Sequence, residues 1–281
     1  MELGFLTPFS EDALKLANEG PFTCIEIGGS AGWIDDAAQR ESAKKLLAQY
    51  DVRVASFMVL GPSIRTSKAE MAGELGSMGR LMDMANEFGG AVLTGAAPMG
   101  YDPSKSLADN VAMFKEVYSP VADLAEAKGV NVAFENWPGG RGPFADGGSL
   151  TVTPEAIAAM FEAVPSQRIG LEFDPSHFMW QGIDSMKAVR EFIDRIHIIH
   201  AKDTEIYDDQ VAWRGTYSRG WWRYRLPGFA KFDWPAFFAL FYELEWDGDI
   251  VIEHEDGSFE GDRRPLGFLL SGNYLKKSIL E

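Results

Sequence analysis

The sequence predicts a single-domain α/β protein, a closed (β/α)8 TIM barrel spanning residues 1–281. Three observations carry this: eight short β-prone runs, helix-like stretches between them, and a length of 281 residues that eight βα units fill as one domain.

The runs are Leu3–Phe5, Cys24–Ile27, Arg53–Met58, Ala91–Thr94, Val130–Phe134, Ile169–Phe173, Ile196–His200 and Ile250–Glu253. A helix opens at Ser10-Glu11-Asp12, another covers Asp35 to Tyr50, and a third runs from Ser104 to Lys128 and stops at Gly129. Thr153-Pro154-Glu155 reads as an N-cap followed by proline at the first helical position. Strictly alternating strands and helices lead to a parallel sheet through right-handed crossovers, and eight units suit a closed barrel better than a doubly wound sheet. No Gly-x-Gly-x-x-Gly follows the first run; Gly28-Gly29-Ser30-Ala31-Gly32 lacks the spacing of a dinucleotide site. Between the seventh and eighth runs lies a long Trp/Arg-rich loop, residues 204–228.

A formal net charge of −16, a pI near 4.7 and no Lys/Arg-rich run make a nucleic-acid backbone a poor partner. The single cysteine, Cys24, has no intramolecular disulfide partner, and Met1-Glu2-Leu3-Gly4 lacks a basic leader, so a cytoplasmic protein is expected. The most apolar windows, such as Ala236 to Tyr242, are far shorter than the ~20 residues of a membrane helix, so no membrane partner is expected. Cys24 reads as a packed small hydrophobe, and the aromatics of Phe229–Trp246 read as core.

Side chains alternate along a strand, and in a barrel the apolar face meets the helices. Val130, Val132 and Phe134 therefore point outward, with Ala133 and Glu135 inward; Ile169, Leu171 and Phe173 point outward, with Gly170, Glu172 and Asp174 inward. On the last run Ile250 and Ile252 point outward and Glu253 inward, leaving His254 on the opposite parity. The seventh run is apolar on both faces, but His200 and Lys202 share one face and His197 takes the other.

Glu135, Asp174, His200 and Glu253 thus converge from four consecutive strands at their carboxyl ends, where barrel active sites are built. Three carboxylates brought together need a counter-charge. Carboxylate oxygens with one imidazole suit Mn²⁺ best, with Mg²⁺ or Co²⁺ next, and the absence of thiolates argues against structural zinc. Such a site suits proton transfer next to a carbonyl through an enediolate. Glu135 and Glu253 would remove and return the proton in an epimerase, or one base would return it to the adjacent carbon in an isomerase. His177, three residues past Asp174 in a turn opened by Pro175, reaches toward the same space, and Trp137 offers a face to a sugar ring or to the core. Lys202 either neutralises an inward carboxylate such as Glu172 or polarises a substrate hydroxyl. The arginines of the long loop, Arg223 among them, suit a sugar-binding wall or a subunit contact, which leaves a homo-oligomer open.

Phe134-Glu135-Asn136, Phe173-Asp174-Pro175-Ser176-His177, His200-Ala201-Lys202-Asp203 and Ile252-Glu253-His254-Glu255-Asp256 together resemble the strand-end motifs of the xylose isomerase-like TIM-barrel family of sugar isomerases and epimerases. Arg225-Leu226-Pro227-Gly228, ahead of a Phe/Trp-rich helix, is similar to a stretch many members carry before the last strand. The resemblance implies Glu135, Asp174, His200 and Glu253 as metal ligands, His177 against a substrate oxygen, and a small sugar or polyol as substrate. The family's range keeps a second reaction open, a metal-dependent lyase or dehydratase acting on an inosose or 3-keto-glycoside at the same site. Its endonuclease branch would want a basic groove, and this chain carries −16.

Overall fold

Apolar runs bounded by helix caps fold here into strands and crossover helices in strict succession. The computed structural model describes residues 1–279 except 60, 96 and 141, and omits the side chains of residues 30 and 31. The first half of the chain forms β1 (Glu2–Pro8), α1 (Glu11–Glu19), β2 (Cys24–Gly28), α2 (Ala37–Tyr50), β3 (Arg53–Met58), α3 (Met71–Glu87), β4 (Val92–Thr94) and α4 (Leu107–Lys128). The second half continues with β5 (Val132–Glu135), α5 (Pro154–Ala163), β6 (Ile169–Phe173), α6 (Pro175–Met179), α7 (Ser185–Phe192) and β7 (Ile196–Ala201). It ends with β8 (Asp203–Ile206), α8 (Asp208–Arg214), β9 (Trp222–Arg225), α9 (Trp234–Glu243), β10 (Asp249–Ile252) and α10 (Arg264–Lys276).

The helix starts follow their caps. Ser10, Asp36, Ser106 and Thr153 each accept a hydrogen bond from a first-turn backbone N–H, and Gly129 closes α4 at φ 69° in the left-handed region. Eight strands close in the order β1-β10-β7-β6-β5-β4-β3-β2, every pair parallel, which is the predicted (β/α)8 barrel. The outward residues, among them Phe5, Phe57, Phe134, Leu171 and Ile252, pack against the helices in one core. The Phe/Trp-rich helix α9 joins it through Trp234, Phe237, Phe238 and Phe241. The inner layer is narrow and made of small side chains, Cys24, Ala55 and Ala133 with Ile198 and Val251.

Two features differ from the sequence expectation. Leu171 pairs with Ile196 but Glu172 with Ile198, so His197 is skipped as a bulge and drops out of the strand's alternation. Residues 204–228 are not simply a loop: β8 and β9 pair antiparallel as a hairpin with α8 at its tip, because Trp222-Arg223-Tyr224-Arg225 alternates aromatic and basic and lays one face on the barrel. No helix among the described residues is long and apolar enough to cross a membrane.

Close packing of the small inner residues gives a direct test. A Cβ on Gly170 would lie 2.2 Å from the Arg195 carbonyl oxygen and 2.4 Å from the His197 ring, whereas a Cβ on Gly73, in α3, meets nothing within 4 Å. Gly170→Ala is expected to destabilise by ~1–3 kcal/mol through overpacking. Gly73→Ala is expected to stabilise by ~0.5–1 kcal/mol by raising helix propensity. Thermal and urea unfolding of the two variants should shift in opposite directions, and equal effects would refute the account.

Candidate active site and metal centre

At the carboxyl ends of the strands, ligand-type atoms of Glu135, Asp174, His200 and Glu253 lie within 4.8 Å of one another. Glu135 closes β5, Asp174 follows β6 as the N-cap of α6, His200 lies on β7, and Glu253 follows β10. Local hydrogen bonds fix the first two: Thr151 Oγ1 donates to the Glu135 carbonyl at 2.7 Å. Asn136 both donates to the Asp174 carbonyl (2.8 Å) and accepts from its N–H (2.7 Å). Asn136 thus ties the ends of β5 and β6 together.

His200 is fully buried and faces two groups of carboxylates. Its Nδ1 lies 3.3 Å from Glu135 Oε1 and 3.4 Å from Glu253 Oε2, in the upper cluster. Its Nε2 lies 3.0 Å from Glu26 Oε2 and 2.8 Å from Glu172 Oε1, deeper in the barrel. Glu26 is held in turn by Thr94 Oγ1 at 2.6 Å, and Glu172 by the Gly95 N–H at 3.0 Å. Burial and the neighbouring Glu26 push the Glu172 carboxyl well above the usual carboxylate range. Burial works against a charged His200, but Glu172, Glu26 and Glu253 outweigh it and raise its imidazole well above the ordinary value.

Lys202 is the second buried cation. Its Nζ lies 3.1 Å from Asp174 Oδ2 and 2.9 Å from Glu255 Oε2, donates to Glu253, and sits 4.5 Å from the centre of the Tyr224 ring. It neutralises inward carboxylates, Asp174 and Glu253, though not Glu172, which is taken by His200 and Gly95 deeper in the barrel. Burial opposes ionisation of Glu253, but Lys202 overrides it and holds the carboxyl at about 2. Burial likewise opposes a charged Glu135, and hydrogen bonds from His177 and His200 bring it well below the usual range.

His177 lies over the cluster. Its Nε2 is 3.2 Å from Glu135 Oε1 and 3.4 Å from Asp174 Oδ2, and its Nδ1 is 2.8 Å from the Tyr224 hydroxyl. The structure therefore brings Glu135, Asp174, His177, His200, Lys202 and Glu253 together. Trp137 is half-buried at the start of a glycine-rich segment next to Asn136. Arg223 is not brought in: it is exposed on the outer face of the hairpin, donating to Glu205 at 2.6 Å. Its strand neighbour Tyr224 reaches the site instead. Arg225 ties the hairpin down through Asp256 (2.7 Å) and Glu205 (2.8 Å), whereas Trp213 and Tyr217 near the hairpin tip are exposed. His254 points away, its ring 5.2 Å from that of Phe268.

Sequence reasoning missed Glu26 and Tyr224 as members of the site. A lone charged residue in the apolar run Cys24-Ile25-Glu26-Ile27 was the signal for the first, and the aromatic/basic alternation of β9 was the signal for the second.

Asp174 Oδ2 is buried with no aligned hydrogen bond, and with the carboxylates of Glu135 and Glu253 and one imidazole nitrogen it makes a set of three carboxylates and one imidazole. That donor set fits a divalent cation with a preference for oxygen.

Residues 14–276 match the family model described as xylose isomerase-like TIM barrel. The inosose dehydratase of Clostridium perfringens (strain 13 / Type A) is 21% identical over 236 residues, which is 76% of this chain and 73% of that protein. Curated relatives with higher local identity are matched over less than half of their own length. Among solved structures, a D-tagatose 3-epimerase-like protein superposes with TM-score 0.74 at 18% identity, covering 99% of this chain and 97% of that one. The IOLI protein with a bound zinc atom gives 0.73 at 18% identity, covering 99% and 96%.

The deep carboxyl pair yields a test. A glutamate whose folded pKa is raised holds its proton where the unfolded chain has lost it, so its contribution to stability falls as pH rises from the ordinary glutamate range toward the folded value. Glu172→Gln keeps the shape and removes that dependence. The variant is expected to unfold within about 1 kcal/mol of the wild type near neutral pH. Its stability relative to the wild type should improve as pH rises. Denaturant titrations across pH check this, and a relative stability that worsens with pH would mean that Glu172 is charged.

Proposed function

This chain belongs to the xylose isomerase-like TIM-barrel family, and from that premise we propose that it is a divalent-metal-dependent isomerase or epimerase of a keto-sugar or related polyol. The observation that carries this reading is the convergence of Glu135, Asp174, His200 and Glu253 within 4.8 Å at the catalytic end of the barrel. The four would hold the cation, Mn²⁺ by preference and Mg²⁺ or Co²⁺ next, which polarises a substrate carbonyl and its neighbouring hydroxyl when bound. The zinc of the IOLI structure supports the site and not the choice of ion.

The side chains supply the proton transfers. Glu135 and Glu253 are both ionised at neutral pH, one flanked by His177 and His200, the other by Lys202 and His200. They stand on β5 and after β10, with β6 and β7 between them, so a substrate lying across the mouth meets one carboxylate on each side. One removes the proton α to the carbonyl and the other returns it; return by the first base to the adjacent carbon gives isomerisation instead. His177 contacts a substrate oxygen. Lys202 orients a hydroxyl, and Trp137 packs on a ring face. A cytoplasmic setting agrees with Cys24 being buried and free.

A second reading is favoured by one observation. The buried ammonium of Lys202, held charged by Asp174, Glu253 and Glu255, can donate a hydrogen bond to a departing oxygen and stabilise its negative charge. The same site would then eliminate water or an aglycone from an inosose or 3-keto-glycoside.

Mass-spectrometric deuterium uptake from heavy water, across ketoses, inososes and 3-keto-glycosides with Mn²⁺ or Mg²⁺ supplied, tests the proposal. Exchange is expected to vanish with EDTA and to fall ~10²–10⁴-fold in Glu135→Gln or Glu253→Gln. Loss of a leaving group marks the lyase. Metal-loaded protein that exchanges no substrate in the panel would refute the keto-sugar reading.

A further inference from the structure

His177 does not stand on a barrel strand. It projects from α6, a short helix beyond β6, and the β8–β9 hairpin grips that helix at three points. Thr204 Oγ1 on β8 donates to the Ser176 carbonyl at 2.9 Å. Trp222 on β9 stacks on Trp180, which follows α6, with ring centres 5.0 Å apart and planes within 3°. Tyr224, on the same face of β9 as Trp222, places its hydroxyl 2.8 Å from His177 Nδ1. The hairpin is itself fastened to the end of β10, where the Arg225 guanidinium and the Leu226 N–H both donate to the buried carboxylate of Asp256 (2.7 and 3.3 Å).

We propose that Tyr224 is a positioning residue of the active site, whose hydroxyl donates to Nδ1 of His177 and thereby holds the ring with its Nε2–H directed at Glu135, Asp174 and the substrate. The inference rests on the reading of His177 as a substrate contact. Its chemistry follows from the partners: the two carboxylate oxygens at Nε2 are pure acceptors and call for a donor there, so a neutral ring has its lone pair at Nδ1. The phenol is the group within hydrogen-bond reach that can donate to that lone pair, and burial pushes its own pKa up and keeps it protonated. Lys202 Nζ stands farther from Nε2, at 3.5 Å, and is engaged by Asp174, Glu253 and Glu255. An imidazole with one nitrogen fixed by a protein partner presents the other in a defined protonation state, as in the orientation of histidines by an outer-shell acceptor.

The test is nitrogen NMR of Mg²⁺-loaded protein labelled at histidine nitrogen, with His177 assigned by its loss in His177→Asn. The wild type is expected to show the proton on Nε2, protected from solvent exchange, and an Nδ1 resonance shifted by an accepted hydrogen bond. In Tyr224→Phe, which removes only the hydroxyl, the Nδ1 resonance is expected to lose that shift and the Nε2–H to lose its protection, with the thermal midpoint little changed. A wild-type proton on Nδ1, or an Nε2–H equally protected in both proteins, would overturn the proposal. On whichever substrate the wild type exchanges, Tyr224→Phe is expected to lower kcat about tenfold or more with KM nearly unchanged. A raised KM with unchanged kcat would instead make Tyr224 a simple substrate contact. Because the spectra need no substrate, failure of this inference is distinguishable from failure of the proposed reaction.

Discussion

The interior of this barrel must accommodate more buried negative charge than a dry core tolerates. An ionised carboxylate taken out of water is disfavoured by several kcal/mol unless it is paired and hydrogen-bonded. Glu26, Glu135, Glu172, Asp174 and Glu253 all lie in or beside the barrel, and the buried groups that face them among the described residues are the His200 and His177 imidazoles and the Lys202 ammonium. His200 bears the most of this, because each ring nitrogen faces two carboxylates. Its position on β7 therefore links the deep pair, where one carboxyl is kept protonated, to the upper cluster, where Glu135 and Glu253 are kept ionised.

That division of roles depends on the inner layer. Gly4, Cys24, Ala55, Ala133 and Gly170 leave little volume at the bottom of the barrel, and the polar groups stack above them toward the carboxyl ends of the strands. The bulge at His197 belongs to the same design. Without the skipped residue, Ile198 and His200 would not share the inward face with Glu172. The strand-end loops then complete the site. The β8–β9 hairpin contributes Tyr224 and the Trp222 stack from outside the barrel, as an addition that the eight-strand frame does not require.

Much of this was legible in local pattern. Apolar runs and helix caps set the eight strands to within a few residues, and period two on β5, β6 and β10 was enough to turn Glu135, Asp174 and Glu253 inward. What could not be read depends on distance across the fold. Glu26 meets His200 across the barrel, since β2 is bonded to β1 and β3 and never to β7, and no spacing along the chain encodes that meeting. Parity puts Lys202 on the inward face with carboxylates such as Glu172, but which of them it meets depends on depth, and the lysine reaches the Asp174, Glu253 and Glu255 level. Arg223 drew notice by its charge, yet alternation on β9 gives it to solvent and gives Tyr224 to the site.

The surroundings of the two upper glutamates are unequal, and under the proposed reading this asymmetry directs the chemistry. Glu135 lies between two imidazoles, whose protons are shared among several acceptors. Glu253 lies against an ammonium that is itself held by Asp174 and the half-exposed Glu255. Burial opposes a charged Lys202, but Asp174, Glu253 and Glu135 raise it well above its ordinary range, so on the Glu253 side it acts as a fixed positive charge, whereas Glu135 accepts from His177 and His200. Negative charge that develops on a substrate oxygen is then best met on the Glu253–Lys202 side. Such stabilisation serves an enediolate and a departing oxygen alike, so the choice between epimerase and lyase falls to what the substrate presents to Lys202.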